Sequence, residues 1–90
     1  MPERSVVVTN PVGLHARPAA LFVKTAKGFP GTTISVCRDD RRADAKSILG
    51  VLTLAVTQGT TITISTEGDE ADAALAALVD IVEAGLGEAG

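Results

Sequence analysis

Gly13-Leu14-His15-Ala16-Arg17-Pro18-Ala19-Ala20 is the stretch from which the rest of this sequence is read. It holds the chain's one histidine, and Arg17 follows two residues later. Ala19, Phe22, Val23 and Ala26 fall at i, i+3, i+4 and i+7, the spacing of a core-facing helical stripe. Pro18 fits a helix only in its first turn, where its missing N–H has no intrahelical acceptor to lose. The helix therefore starts near Ala16, with His15 at or beside the N-cap and Gly28 as its C-terminal stop. Gly13 supplies the backbone freedom to turn into it.

A helix N-terminus carries partial positive charge and unpaired N–H groups, here those of Ala16 and Arg17, so it binds phosphate or carboxylate. The same field favours a neutral, nucleophilic imidazole at His15. Arg17 adds a guanidinium fork suited to phosphate oxygens. A phosphoryl group on that imidazole would be held by the amides and the arginine, yet stay attached through a labile P–N bond. That combination describes a carrier. The competing reading is a surface or capping histidine with no chemistry, although Ser, Thr, Asp and Asn are the usual N-cap residues. One His and one Cys give no metal-ligand cluster, and no cofactor is expected. A hydrolytic enzyme would need a second acid or base converging on His15, and none stands near it in the sequence.

Ninety residues predict one domain, 1–90, with a single modest core. A net charge of −3 and only two aromatic residues, both Phe, argue against nucleic-acid binding, which calls for a basic stripe and stacking platforms. Cys37 has no internal disulfide partner and suits a reducing cytosol. No basic-then-apolar leader opens the chain, and no apolar run is long enough to span a membrane. The expectation is a soluble, cytoplasmic monomer.

Ser5 to Thr9 reads as a strand ended by Asn10-Pro11. After the first helix, Phe29-Pro30-Gly31 turns the chain into an alternating strand from Thr32 to Arg38. Ile34 and Val36 lie on one face of it, with Thr33, Ser35 and Cys37 on the other. Asp39-Asp40 makes a tight reversal into a short strand from Arg41 to Asp44, although the turn lacks the glycine that such turns favour. Thr60 to Thr66 alternates as a half-buried strand, closed by Gly68. Asp69 is the expected cap of a last helix whose stripe is Leu75, Leu78, Val79 and Val82, with Gly85 ending it.

Between these elements, Ser47 to Ala55 reads as a brief helix with Ser47 as its N-cap and Gly50 inside. So short a helix cannot bury Ile48, Leu49, Val51, Leu52 and Leu54 together. The reading adopted is that Ile48, Leu49 and Leu52 form an exposed docking patch. On the first helix, Lys24 lies about 20° and Lys27 about 80° around the axis from Arg17 at 100° per residue. Three cations on one side of a helix in an acidic protein suit the steering of an acidic partner.

The predicted order is strand, helix, strand, strand, helix, strand, helix: an α+β, open-faced two-layer sandwich, with helices covering one sheet face. Alternation alone leaves a ferredoxin-like arrangement open as well.

Gly13-Leu14-His15-Ala16-Arg17-Pro18-Ala19 resembles the active-site signature of HPr, the histidine phosphocarrier family of the bacterial sugar phosphotransferase system. Ala45-Lys46-Ser47-Ile48-Leu49-Gly50-Val51-Leu52 is similar to that family's serine-site motif, and Gly85-Leu86-Gly87-Glu88 to its tail. The resemblance covers the whole chain. It implies a four-stranded antiparallel sheet in the order 1-4-2-3 under three helices. It also implies that His15 accepts a phosphoryl group through Nδ1 from phosphorylated enzyme I, itself charged by phosphoenolpyruvate. The group would then pass to the IIA domain of a sugar permease.

Carried onto matching positions, Arg17 would hold the phosphoryl oxygens, and the helices bearing Lys24, Lys27, Ile48, Leu49 and Leu52 would meet the partners. Such a protein is a carrier rather than an enzyme. Ser47 is the position that a dedicated kinase phosphorylates in some members, although an N-cap role explains a serine there without one. The alternative function is a regulatory binding module of the same fold, acting through Ile48, Leu49 and Leu52. One departure stands out: many members carry a short polar residue just before the loop glycine, where this chain has Val12.

Overall fold

The computed structural model describes residues 2–86. Along the chain run β1 (Glu3–Val7), α1 (Ala16–Lys27), β2 (Thr32–Arg38), β3 (Arg41–Asp44), α2 (Ile48–Thr53), β4 (Thr61–Gly68) and α3 (Ala71–Glu83). The strands form one antiparallel sheet in the order β1-β4-β2-β3. This is the arrangement implied by the resemblance.

Alternation along the strands sorts side chains between the two sheet faces. Val6, Ile34, Val36, Ile62 and Ile64 are buried, whereas Ser5 and Thr63 pair through their hydroxyls at 2.9 Å on the open face. The stripe predicted for α1 is the stripe observed, with Ala19, Phe22, Val23 and Ala26 all buried. In α3, Leu78, Val79 and Val82 are joined by Ala74 as the buried set, and Leu75 is only half-buried. Helix α3 packs on β4, β1 and β2, while α1 bridges α3 and α2. Phe22 is fully buried and is the largest side chain in the resulting core.

Several boundaries differ from expectation. β1 lies at Glu3–Val7 rather than Ser5–Thr9, because pairing with Ser65 to Thr61 sets its register. β4 runs on to Gly68, paired with Thr32, and α2 ends at Thr53, two residues short of Ala55. Asp69 does not cap α3: the N-cap is Glu70, whose side chain makes no capping bond. The chain is instead fixed there by the Glu70 amide donating to Thr32 Oγ1 at 3.2 Å and by Thr66 Oγ1 donating to the Ala71 carbonyl at 2.7 Å. Asp39 takes φ +54 in the β2–β3 turn, a conformation that Asp tolerates better than most residues. Of the motif Gly85-Leu86-Gly87-Glu88, Gly87 and Glu88 lie outside the described residues. Gly85 has φ +86, and Leu86 is buried.

Candidate functional site

The loop before α1 is built by close approach of two backbones. Gly13 has φ +65, and a Cβ there would stand 2.2 Å from the Val56 carbonyl oxygen. The Leu14 N–H donates to that same oxygen at 3.1 Å, and the Leu14 side chain is fully buried. Asn10 closes the other side of the loop. Its carbonyl accepts from the Gly13 N–H at 3.2 Å, and its buried Nδ2 donates to the Gly13 carbonyl at 2.8 Å.

His15 follows as the N-cap of α1, in extended conformation with φ −131 and ψ 158. Its carbonyl enters the helical ladder by accepting from the Ala19 N–H at 3.5 Å. Its imidazole caps no helix N–H and is exposed. Ala16 then has φ +50, in the left-handed region. For a residue with a Cβ that costs about 1–2 kcal/mol, so the surrounding structure must hold it. The buried Pro18 and Ala19 grip the helix just beyond it. Ala16 and Arg17 are both exposed, and as the first residues of the helix their N–H groups lack intrahelical acceptors. The site so formed is an exposed imidazole, two free helix amides and an exposed guanidinium within three consecutive residues.

Lys24 and Lys27 are exposed further along α1, Lys27 about 15 Å beyond Arg17 at 1.5 Å per residue. With Ala20, Val23 and Ile48 they line a groove of about 330 Å³ between α1 and α2. Leu49 is 71% exposed and Ile48 44%, so both stand out as an apolar patch. Leu52 differs from expectation. It is half-buried and packs against the core, because a six-residue helix lying on the sheet turns this position inward beside the buried Val51.

Ser47 is the N-cap of α2, as its sequence position suggests. Its Oγ accepts from the Gly50 N–H at 3.1 Å. The neighbouring Lys46 is tied down by Nζ donating to the Phe29 carbonyl at 2.8 Å and the Thr32 carbonyl at 2.5 Å. Arg38 and Arg41 reach the other end of α2, donating to the Leu54 and Thr53 carbonyls at 3.4 Å. The sequence reading missed Asn10, Lys46 and these arginines. Only the Asn10-Pro11 turn signal hinted at the first. Among the described residues no group of three or more His, Cys, Asp or Glu is placed to hold a metal, and no helix is long and apolar enough to cross a membrane.

The family model described as "PTS HPr component phosphorylation site" matches residues 2–84. The chain belongs to the HPr family. Its similarity to the HPr-like protein Crh of Halalkalibacterium halodurans is 43% identity, over 92% of this chain and 98% of the relative. To the phosphocarrier protein HPr of Vibrio cholerae it is also 43%, over 92% and 96%. The crystal structure of HPr-C-His from Thermoanaerobacter tengcongensis superposes with a TM-score of 0.96 at 46% identity, covering both chains completely. The HPr fold is thus shared along with the sequence, and the relatives named are bacterial.

Proposed function

We propose that this member of the HPr family is a cytoplasmic, monomeric phosphocarrier of ninety residues acting as one domain. His15 takes a phosphoryl group from phosphorylated enzyme I and hands it to the IIA domain of a sugar permease. The observation carrying this reading is the exposed imidazole of His15 at the N-terminus of α1, left free by a cap that does not use it. Attack by Nδ1 forms the new P–N bond as the bond to enzyme I breaks, and the reverse exchange occurs at the IIA domain. The developing charge on the phosphoryl oxygens is met by the Ala16 and Arg17 amides, the helix dipole and the Arg17 guanidinium.

The protein is a reactant regenerated in each cycle and supplies half of each transfer site, so it is not itself an enzyme. Lys24 and Lys27 steer acidic partners toward the α1–α2 groove. Ile48 and Leu49 supply the apolar contact, with the exposed part of Leu52 at its edge.

Incubation with enzyme I and phosphoenolpyruvate tests this by intact mass and acid treatment. One acid-labile phosphoryl group, absent from His15→Ala, is expected. No transfer from a competent enzyme I would remove the reading.

The similarity to an HPr-like protein, Crh, supports a second reading. In it the chain is a regulatory binding module acting through Ile48, Leu49 and Leu52, switched by kinase phosphorylation of Ser47. That reading leaves His15 and Arg17 without a task, and transfer by the wild-type protein separates the two.

A further inference from the structure

We propose that Asn10 is a positioning residue for His15, acting through the single peptide that joins Gly13 to Leu14. The inference rests on the phosphocarrier reading of His15. Asn10 is only 3% exposed and grips Gly13 at both polar atoms. Its carbonyl takes the Gly13 N–H at 3.2 Å, and its Nδ2 donates to the Gly13 oxygen at 2.8 Å. The next N–H, that of Leu14, donates to the Val56 oxygen at 3.1 Å. The 13–14 peptide is therefore bonded at its C=O by Asn10 and at its N–H by Val56. A peptide unit is planar, and two bonds at its opposite polar atoms fix its rotation about the chain. The fully buried Leu14 side chain fixes its position.

The buried Leu14 links this clamped plane to His15, and the strained Ala16 follows directly after. Ala16 sits at φ +50, a conformation that relaxes unless its neighbours hold it. Loss of the Asn10 bond would loosen the loop that leads into His15 and Ala16 on its N-terminal side. The imidazole would then swing relative to the Ala16 and Arg17 amides that face the phosphoryl oxygens. Val12 cannot supply the restraint, being an exposed hydrocarbon with nothing to donate. In this chain the loop's side-chain bond comes instead from Asn10, two residues earlier, where burial shields it from competing water.

Two variants separate positioning from turn stability alone. Asn10→Ala removes the amide, and Asn10→Asp keeps its shape while replacing the Nδ2 donor with an acceptor. In isotope-labelled, unphosphorylated protein, both are expected to move the His15 ring nitrogen and the Ala16 and Arg17 amide resonances. Phosphoryl acceptance should fall about tenfold, the scale of loss from a displaced reacting group, while KM for enzyme I stays within about twofold. Unmoved ring and amide signals, with the loss confined to melting temperature, would overturn the inference.

These signals need no phosphoryl transfer, so they decide the inference even if the wild-type protein accepts none. That result would instead remove the phosphocarrier reading. If neither variant folds, acid titration of the wild-type His15 ring decides. Movement of the Asn10 side-chain amide signal with the ring supports the coupling, and an unmoved signal overturns it.

Discussion

A Cβ added to Gly13 would stand 2.2 Å from the carbonyl oxygen of Val56 and 2.7 Å from the Cα of Thr57. Both obstacles are backbone, so neither can rotate aside. With φ at +65 as well, Gly13→Ala is expected to cost at least about 2 kcal/mol, since the left-handed conformation alone costs about 1–2 kcal/mol. The melting temperature followed by circular dichroism should fall by roughly 8 °C or more for a domain of this size. An unchanged melting temperature would show that the loop is not wedged against Val56.

Arg17 is exposed, so its removal should leave folding nearly untouched. Its expected contribution is to the phosphoryl oxygens. Arg17→Ala should slow transfer from enzyme I on the order of ten- to a hundredfold, the rate equivalent of a charge-assisted hydrogen bond of roughly 1.5–3 kcal/mol. Arg17→Lys keeps the charge without the fork and should recover only part of the loss. Rapid-quench transfer assays give both numbers, and equal rates for wild type and Arg17→Ala would discard the role.

Ser47 offers a test of cap against switch. Ser47→Ala deletes the acceptor for the Gly50 N–H and should cost about 1 kcal/mol, whereas Ser47→Asp keeps a good cap and should melt near wild type. If Ser47→Asp nonetheless changes partner affinity in calorimetry, the effect belongs to charge beside the Ile48–Leu49 patch rather than to folding.

Leu49→Asp and Leu78→Ala should separate docking from core. Leu49 is 71% exposed, so its replacement should change stability within roughly 0.5 kcal/mol while raising KM for enzyme I. Leu78 is fully buried, and its truncation should cost about 2–5 kcal/mol. Charge reversal at Lys24 and Lys27 should slow association, and should flatten the dependence of the on-rate on salt in stopped-flow measurements. A salt dependence unaltered by the double reversal would assign the steering elsewhere.

Much of the architecture was legible because periodicity reports one-sided burial. The α1 stripe and the bounds of β2 and β3 follow from spacing and turn residues alone. The sheet order came from resemblance, since alternation shows that a strand is half-buried but not which strand lies beside it. What the sequence hid was long-range. β1 is set by its partner in β4, and the entry to α3 by a hydroxyl on Thr32, 38 residues from Glu70. At the site, His15, Ala16 and Arg17 announce themselves by chemistry. Ala16 at φ +50 does not announce its conformation, because alanine carries no signal for a left-handed turn that neighbouring bonds impose. Lys46 likewise reads as an ordinary surface cation until its two carbonyl partners, 14 and 17 residues away, are seen.

The pairing of β1 with β4 has a consequence for how the protein comes into being. Ser5 meets Thr63, a residue 58 positions further along the chain. β1 is therefore made well before the strand it pairs with, and cannot take its place in the sheet until β4 has followed it. Loop closure over that distance favours slow, late assembly. Until β4 emerges, α1 has a nascent core but no completed sheet to lie on. The segment carrying His15 is thus made before the sheet that supports it can be completed.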